Sequence, residues 1–292
     1  MWVKVRRQGF TLAFLALIGW AHPSFDRAEW IGAQLETGAP ASLTALDAGP
    51  DATYDTGNGG VVHVPGVDTH GACPAGMVLV EGEACTEVEH TCLKEMKDDP
   101  AHRCLEFKVG ADVCIGSRGR MKFCMDRYEW PGTPGAQPRV LVDYYDAQKS
   151  CKSVGKRMCK EDEFYLACEG PEHWPYSWGH VRHPSPCNID RPYLMVDWNK
   201  WAKGREAMSE EAKRLDQALP IGSSKCWSPY GVHDLSGNVD EWTTSRPGRD
   251  LEGSLNGGYW GPVQNACRYV TLVHGPEFLF YQIGFRCCSE AK

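Results

Sequence analysis

The chain has 292 residues, enough for one large domain or two small ones, and carries a formal net charge of −7 with 42% hydrophobic and 24% charged residues. An acidic balance argues against a nucleic-acid binder, which needs a basic face. A content of 31 Gly and 11 Trp is that of a loop-rich, aromatic-rich domain, not a helical bundle.

At the N-terminus Lys4, Arg6 and Arg7 precede a short apolar run, "FTLAFLALIGW". A charged segment before a short apolar one predicts a secretory signal, taken as residues 1–22. The run is shorter than the roughly 20 residues a spanning helix needs, so cleavage is expected and no membrane attachment afterwards. The expected destination is the periplasm or the extracellular space. Removing 1–22 takes away three positive charges and leaves a net charge of −10. Residues 31–71 are rich in Gly, Ala, Asp, Thr and Pro with little apolar periodicity, which predicts a flexible linker.

All 14 cysteines follow, at 73, 85, 92, 104, 114, 124, 151, 159, 168, 187, 226, 267, 287 and 288. An even number in an exported chain predicts a disulfide framework. Zinc is the weaker reading, because no Cys-x2-Cys pair occurs and the histidines are scattered. The first six cysteines, Cys73 to Cys124, are close enough in sequence to pair among themselves, but spacing does not choose among the 15 connectivities that six allow. Met77 to Val80 and Phe107 to Val109 are expected as short strands between loops.

Two helices are legible. Asp143 is a natural N-cap for "YYDAQKSCKSVG", in which Ala147, Cys151 and Val154 recur at helical spacing and Gly155 is a stop. "KEDEFYLACEG" opens with acidic residues suited to a helix N-terminus, and Phe164, Ala167 and Cys168 share one face. A third stretch, "WNKWAKGREAMSEEAKRLDQAL", is expected as one exposed, charged helix. Beyond Pro220 the segments are short and rich in Gly, Trp and Tyr, and there is no internal repeat.

Several separated motifs then occur in order: "DRYEWP", "DAQKSCKSVGKRMCKEDEFYLACEG", "YSWG", "CNID", "LPIGSSKCWSPYGVHDLSGNVDEW", "NGGYW" and "IGFRCC". This series resembles the formylglycine-generating enzyme family, the sulfatase-modifying factors, over residues 73–290. The family's pattern includes GNVwEW, then GGSw, then GFRc. The resemblance implies an α+β fold related to C-type lectin domains, with little regular secondary structure and several disulfides. Enzymes of the family oxidise a cysteine of a sulfatase to formylglycine with molecular oxygen. They use a cysteine pair that binds copper(I), an ion suited to two soft thiolates.

The resemblance also implies two bracing disulfides, here Cys151–Cys287 and Cys168–Cys267. In the enzymes the double Gly is followed by three cysteines, two catalytic and one bonded. In "GGYWGPVQNACRYV" the loop is shorter and holds only Cys267. Counted forward from Gly257 and Gly258, Pro262 takes the first catalytic position and Cys267 the second. Counted backward from "GFRC", Cys267 takes the bonded position. Either way one cysteine stands for three roles, so the copper pair is not expected, and Cys267 is catalytic only if it is unpaired. The Ser after the double Gly is Tyr259 here. Cys187 with Cys226 and Cys159 with Cys288 are further pairs suggested by position.

By the same resemblance "DLSGNVDEW" implies a calcium loop, with Asp234, Gly237, Val239 and Glu241 as ligands through side-chain and carbonyl oxygens. Calcium takes six to eight such hard donors. Asn238 supports the turn. Asn188 and Ile189 match half of a second family calcium site, with Asp216 a candidate for the rest. His233 and His274 are the remaining candidate polar side chains. Trp227, Tyr259, Trp260 and Tyr281 are candidates to line a groove receiving a peptide or protein ligand. Two functional readings follow. One is an exported binding module without the oxidase chemistry, and the other is an active formylglycine-generating oxidase.

Overall fold

The computed structural model describes residues 53–55, 61–63 and 71–292. The expected signal at 1–22 lies outside them. So does most of the expected linker, in which β1 (Thr53–Asp55) and β2 (Val61–His63) form a short antiparallel ladder.

Next come β3 (Met77–Cys85), β4 (Val88–Glu89), β5 (Cys92–Glu95), β6 (Cys104–Phe107), β7 (Val113–Cys114) and β8 (Arg118–Asp126). The strand expected at Met77 to Val80 runs on to Cys85 because β8 pairs along its whole length, from Met77 opposite Asp126 to Cys85 opposite Arg118. The strand expected at Phe107 to Val109 ends instead at Phe107. Gly110 turns there with φ 71°, and Val109 is exposed. Three nested disulfides, Cys73–Cys124, Cys85–Cys114 and Cys92–Cys104, hold this segment, so its six cysteines pair among themselves.

Helix α1 (Tyr144–Ser153) starts where Asp143 accepts the Asp146 amide at 2.7 Å. After β9 (Arg157–Met158) comes α2 (Glu161–Glu169), whose Glu163 reaches back to the Lys160 amide at 2.8 Å. Phe164, Leu166, Ala167 and Cys168 of α2 pack on Val78, Val80, Phe123 and Met125 of β3 and β8 in one apolar core. The single helix expected after Val196 is two, α3 (Trp198–Trp201) and α4 (Arg205–Leu215), broken at Gly204 with φ 111°. Nor is α4 wholly exposed. Glu211, Ala212 and Leu215 are buried, and Glu211 is held by Arg214 and by the Asp197 amide.

The C-terminal part supplies β10 (Asp240–Thr244), β11 (Gly253–Asn256), β12 (Val270–Thr271), β13 (Ile283–Phe285) and β14 (Cys287–Glu290). Two four-stranded sheets result, ordered β3-β8-β14-β9 and β12-β11-β10-β13. Successive side chains of a strand point to opposite faces. Cys287 therefore bonds Cys151 in one core, while Cys288 bonds Cys159 in the other. Cys168–Cys267 and Cys187–Cys226 complete seven bonds, and none of the 14 cysteines is free. Among the described residues no helix is long and apolar enough to cross a membrane. The fold is a disulfide-rich α+β type with short elements.

Candidate functional site

Strand β10 separates two environments because its side chains alternate. Glu241 faces a buried charged cluster, and Asp240 faces an aromatic pocket. The loop 257–270 lies against both.

The double glycine at the loop's start is required sterically. A Cβ on Gly257 (φ 83°) would lie 2.6 Å from the Leu235 carbonyl oxygen, and one on Gly258 (φ 71°) 2.9 Å from the Asn265 side chain. Backbone bonds tie the loop to the turn before β10. The Gly237 amide donates to Gly257 at 3.1 Å, and the Trp260 amide donates to Asn238 at 3.0 Å. Buried Arg182 clamps the far side, donating to the Val263 carbonyl and to Asn265 Oδ1, each at 2.8 Å, and to the Gln264 carbonyl. Cys267 is fully buried and bonded to Cys168, with 5.4 Å between their Cα atoms. Pro262, the other position of interest, is exposed. The loop therefore presents no thiol.

The turn 234–241 is tightly wound, with Asp234 (φ 55°), Gly237 (φ 96°) and Asn238 (φ 59°) all left-handed. A Cβ on Gly237 would lie 2.6 Å from the Asn188 carbonyl oxygen and 2.5 Å from Ile189. Asn238 is the hub. It donates to both oxygens of Glu129 at 2.9 and 3.0 Å, and its oxygen accepts from the Leu219 amide and from Asn188 Nδ2.

Glu129, Asp234 and Glu241 are all buried here, and the buried cation they share is Arg286, which donates to Glu241 at 2.6 and 2.7 Å. Asp126, beside them, is paired with Lys156 at 2.5 Å. Burial, together with Asp234 and Glu241, raises the Glu129 carboxyl well above the usual range. Burial also pushes Asp234 up to about 6, against a hydrogen bond from Ser224, and raises Glu241 against the pull of Arg286. Among the described residues no three Asp, Glu, His or Cys side chains converge into a metal group by themselves. A cation at this turn would thus need the carbonyls of Gly237 and Val239 beside Asp234 and Glu241. These donors are all oxygen, as calcium requires, and Glu241 would have to share its carboxylate with Arg286, which holds both of its oxygens.

Asn188 and Ile189 serve as a wall of this turn. Asn188 Oδ1 accepts from Arg191 at 2.9 Å, its Nδ2 donates to the Gln217 carbonyl, and its own carbonyl accepts from the Asn238 amide. Asp216 accepts from the Ala218 amide. The second site implied by the resemblance would use the carbonyls of Asn188 and Ile189, and the Asn188 carbonyl accepts the Asn238 amide at 3.0 Å. His233 lies between Trp227 and Tyr128, with ring centroids 3.4 and 4.7 Å away, and burial lowers it to about 3, leaving it neutral.

The pocket on the other face of β10 has a volume of about 450 Å³. Of the four aromatics expected in a groove, Tyr259 lines it. Trp260 and Tyr281 are buried in the core beside it, and Trp227 belongs with His233. Trp198, Trp201 and Phe280 form much of the wall, and His274 stacks on Phe278 at 3.8 Å. Asp240 sits at the floor, 6% exposed, with burial pushing its carboxyl up to about 8. Sequence reasoning did not single out Asp240, Glu129 or Arg286. For Asp240 a signal existed, since GNVDEW departs from GNVwEW at that one residue.

The model of the sulfatase-modifying factor enzyme 1-like domain matches residues 116–291. The inactive C-alpha-formylglycine-generating enzyme 2 of Bos taurus is 30% identical over 165 residues, covering 53% of this chain and 50% of that protein. The formylglycine-generating enzyme of Mycobacterium tuberculosis is 26% identical over 184 residues, covering 62% and 52%. The chain spans about half the length of the curated relatives it matches. Among solved structures, PvdO from Pseudomonas aeruginosa aligns with TM-score 0.45 and 18% identity, over 73% of this chain and 94% of that one. CarF aligns with TM-score 0.47 and 15% identity, over 75% and 99%.

Proposed function

The chain belongs to the sulfatase-modifying factor enzyme 1-like domain family, and on that premise we propose that it is an exported ligand-binding module without the copper–cysteine oxidase step. The observation that carries this reading is the fate of Cys267. It is bonded to Cys168, and Pro262 stands at the other candidate position, so the loop offers copper(I) no thiolate pair. A relative whose own name marks it inactive supports the same reading. Export is supported by the basic and apolar N-terminal segment and by seven disulfides, which persist in oxidising compartments.

Calcium belongs to the proposal as a structural ion. Asp234, Glu241 and the carbonyls of Gly237 and Val239 would hold it, and it would supply positive charge to a carboxylate-rich turn. This chain's own residues do the rest. Arg286 balances Glu241, Asn238 fixes the turn, and the double glycine seats the loop on it.

The function is tested by incubating the full chain with copper(I), oxygen and a peptide bearing the sulfatase cysteine, with the mycobacterial enzyme as positive control. The peptide cysteine is expected to emerge unchanged by mass spectrometry. An aldehyde at that position would establish the oxidase reading instead.

A further inference from the structure

The pocket beside the 257–270 loop has walls and a floor of different chemistry. Its walls are aromatic, contributed by Tyr193, Trp198, Trp201, Tyr259, Tyr269 and Phe280. Its floor carries two buried acceptors with no hydrogen-bond partner, Asp240 Oδ1 and Gln282 Oε1. No Lys or Arg lines it. The Gly258 amide favours the charged form of the Asp240 carboxyl, and Glu241, a like charge acting on it, is held by Arg286. Burial lowers the His274 imidazole, whose ring stacks on Phe278.

A buried acceptor without a donor is costly, and two in one cavity define what a ligand must bring. An anion finds neither Lys nor Arg in the lining to meet it, and a purely apolar ligand leaves both acceptors unmet. A cation with N–H donors meets both and is also attracted by the faces of the aromatic walls. The volume falls within the range for small-molecule sites, roughly 300–1,000 Å³. Tyr193 and Trp198, 57% and 61% exposed, stand at the mouth, and Trp198 stacks on Phe280 with centroids 5.9 Å apart.

We propose that this pocket binds an organic cation bearing N–H donors, a primary ammonium or guanidinium on an apolar body, with Asp240 and Gln282 receiving the donors. The inference rests on the binding-module reading and names its ligand class. The carboxylate is this chain's own departure from the family pattern, which has Trp at that position.

The test uses the full chain and its tryptophan fluorescence, with calorimetry as a second readout. The probes are phenethylammonium, its neutral counterpart 2-phenylethanol, the anion 3-phenylpropionate, and a short peptide with one central lysine. Phenethylammonium is expected to bind about tenfold tighter than the alcohol, and the anion not measurably, because a desolvated charge pair is made only with the cation. The lysine peptide distinguishes a side-chain source from a free amine. Stronger binding of the peptide assigns the ammonium to a protein partner, and weaker binding assigns it to a free amine.

Asp240→Asn should remove the preference for the ammonium without lowering the melting temperature, since Asp240 Oδ1 has no partner to lose. Trp198→Ala, at an exposed residue, should weaken both the amine and the alcohol severalfold. Equal binding of amine and alcohol, or Asp240→Asn binding the amine like the native chain, overturns the cation claim and leaves the binding-module reading standing. Conversion of a sulfatase peptide would defeat that reading without touching this preference. Absence of binding by every probe overturns the proposal outright.

Discussion

Replacing Arg286 with Met is expected to cost about 3–5 kcal/mol of stability, because it leaves buried carboxylates uncompensated. Arg286 is 1% exposed and forks onto Glu241, with Glu129 and Asp234 close by. Methionine fills most of the same volume, so little of the loss comes from a cavity. The second variant, Arg286→Met with Glu241→Leu, separates the causes. Removing both charges should recover a large part of the loss, since an apolar pair of similar volume is often no worse than a buried ion pair. Denaturant unfolding without reductant measures both. A single variant within about 1 kcal/mol of the native chain would show that the cluster does not need its guanidinium.

Calcium should act on the same cluster. After treatment with chelator, calcium at about 100 times its dissociation constant is expected to stabilise the fold by about 2.7 kcal/mol. For a domain of this size that is a rise of roughly 5–10 °C in melting temperature. Magnesium should do less, because it demands a smaller octahedral shell and keeps its waters. Asp234→Asn should diminish the calcium shift by removing a charged oxygen donor. A melting temperature indifferent to millimolar calcium would remove the ion from the turn and leave Arg286 as its sole counter-charge.

What the sequence disclosed was local or carried by motif order. The Asp143 cap, the helical spacing of Ala147 and Cys151, and the single cysteine in the 257–270 loop are read within a few residues. They correspond to α1 and to a loop without a free thiol. The pairings Cys151–Cys287 and Cys168–Cys267 came from the family resemblance, and the same bonds are present in the structure.

What it hid depends on residues distant in sequence. Glu129 and Arg286 meet Glu241 only because the segment after β8, strand β10 and the residue after β13 converge, and both look like ordinary surface charges in one dimension. Glu211 misled for the same reason. A charged stretch reads as exposed, yet Arg214 and the Asp197 amide satisfy Glu211 well enough to bury it. Asp240 was overlooked because it fell inside a matching motif, where the match drew notice away from the one position that differs.

The central claim is that the loop beside the pocket carries no reactive thiol pair. Alkylating the native chain in guanidinium chloride without reductant, then mapping its peptides by mass spectrometry, tests this most directly. The structure predicts no alkylated cysteine, with Cys168 and Cys267 recovered as one cross-linked pair. Alkylation of Cys267 together with a second cysteine, in protein that also takes up one equivalent of copper(I), would contradict it.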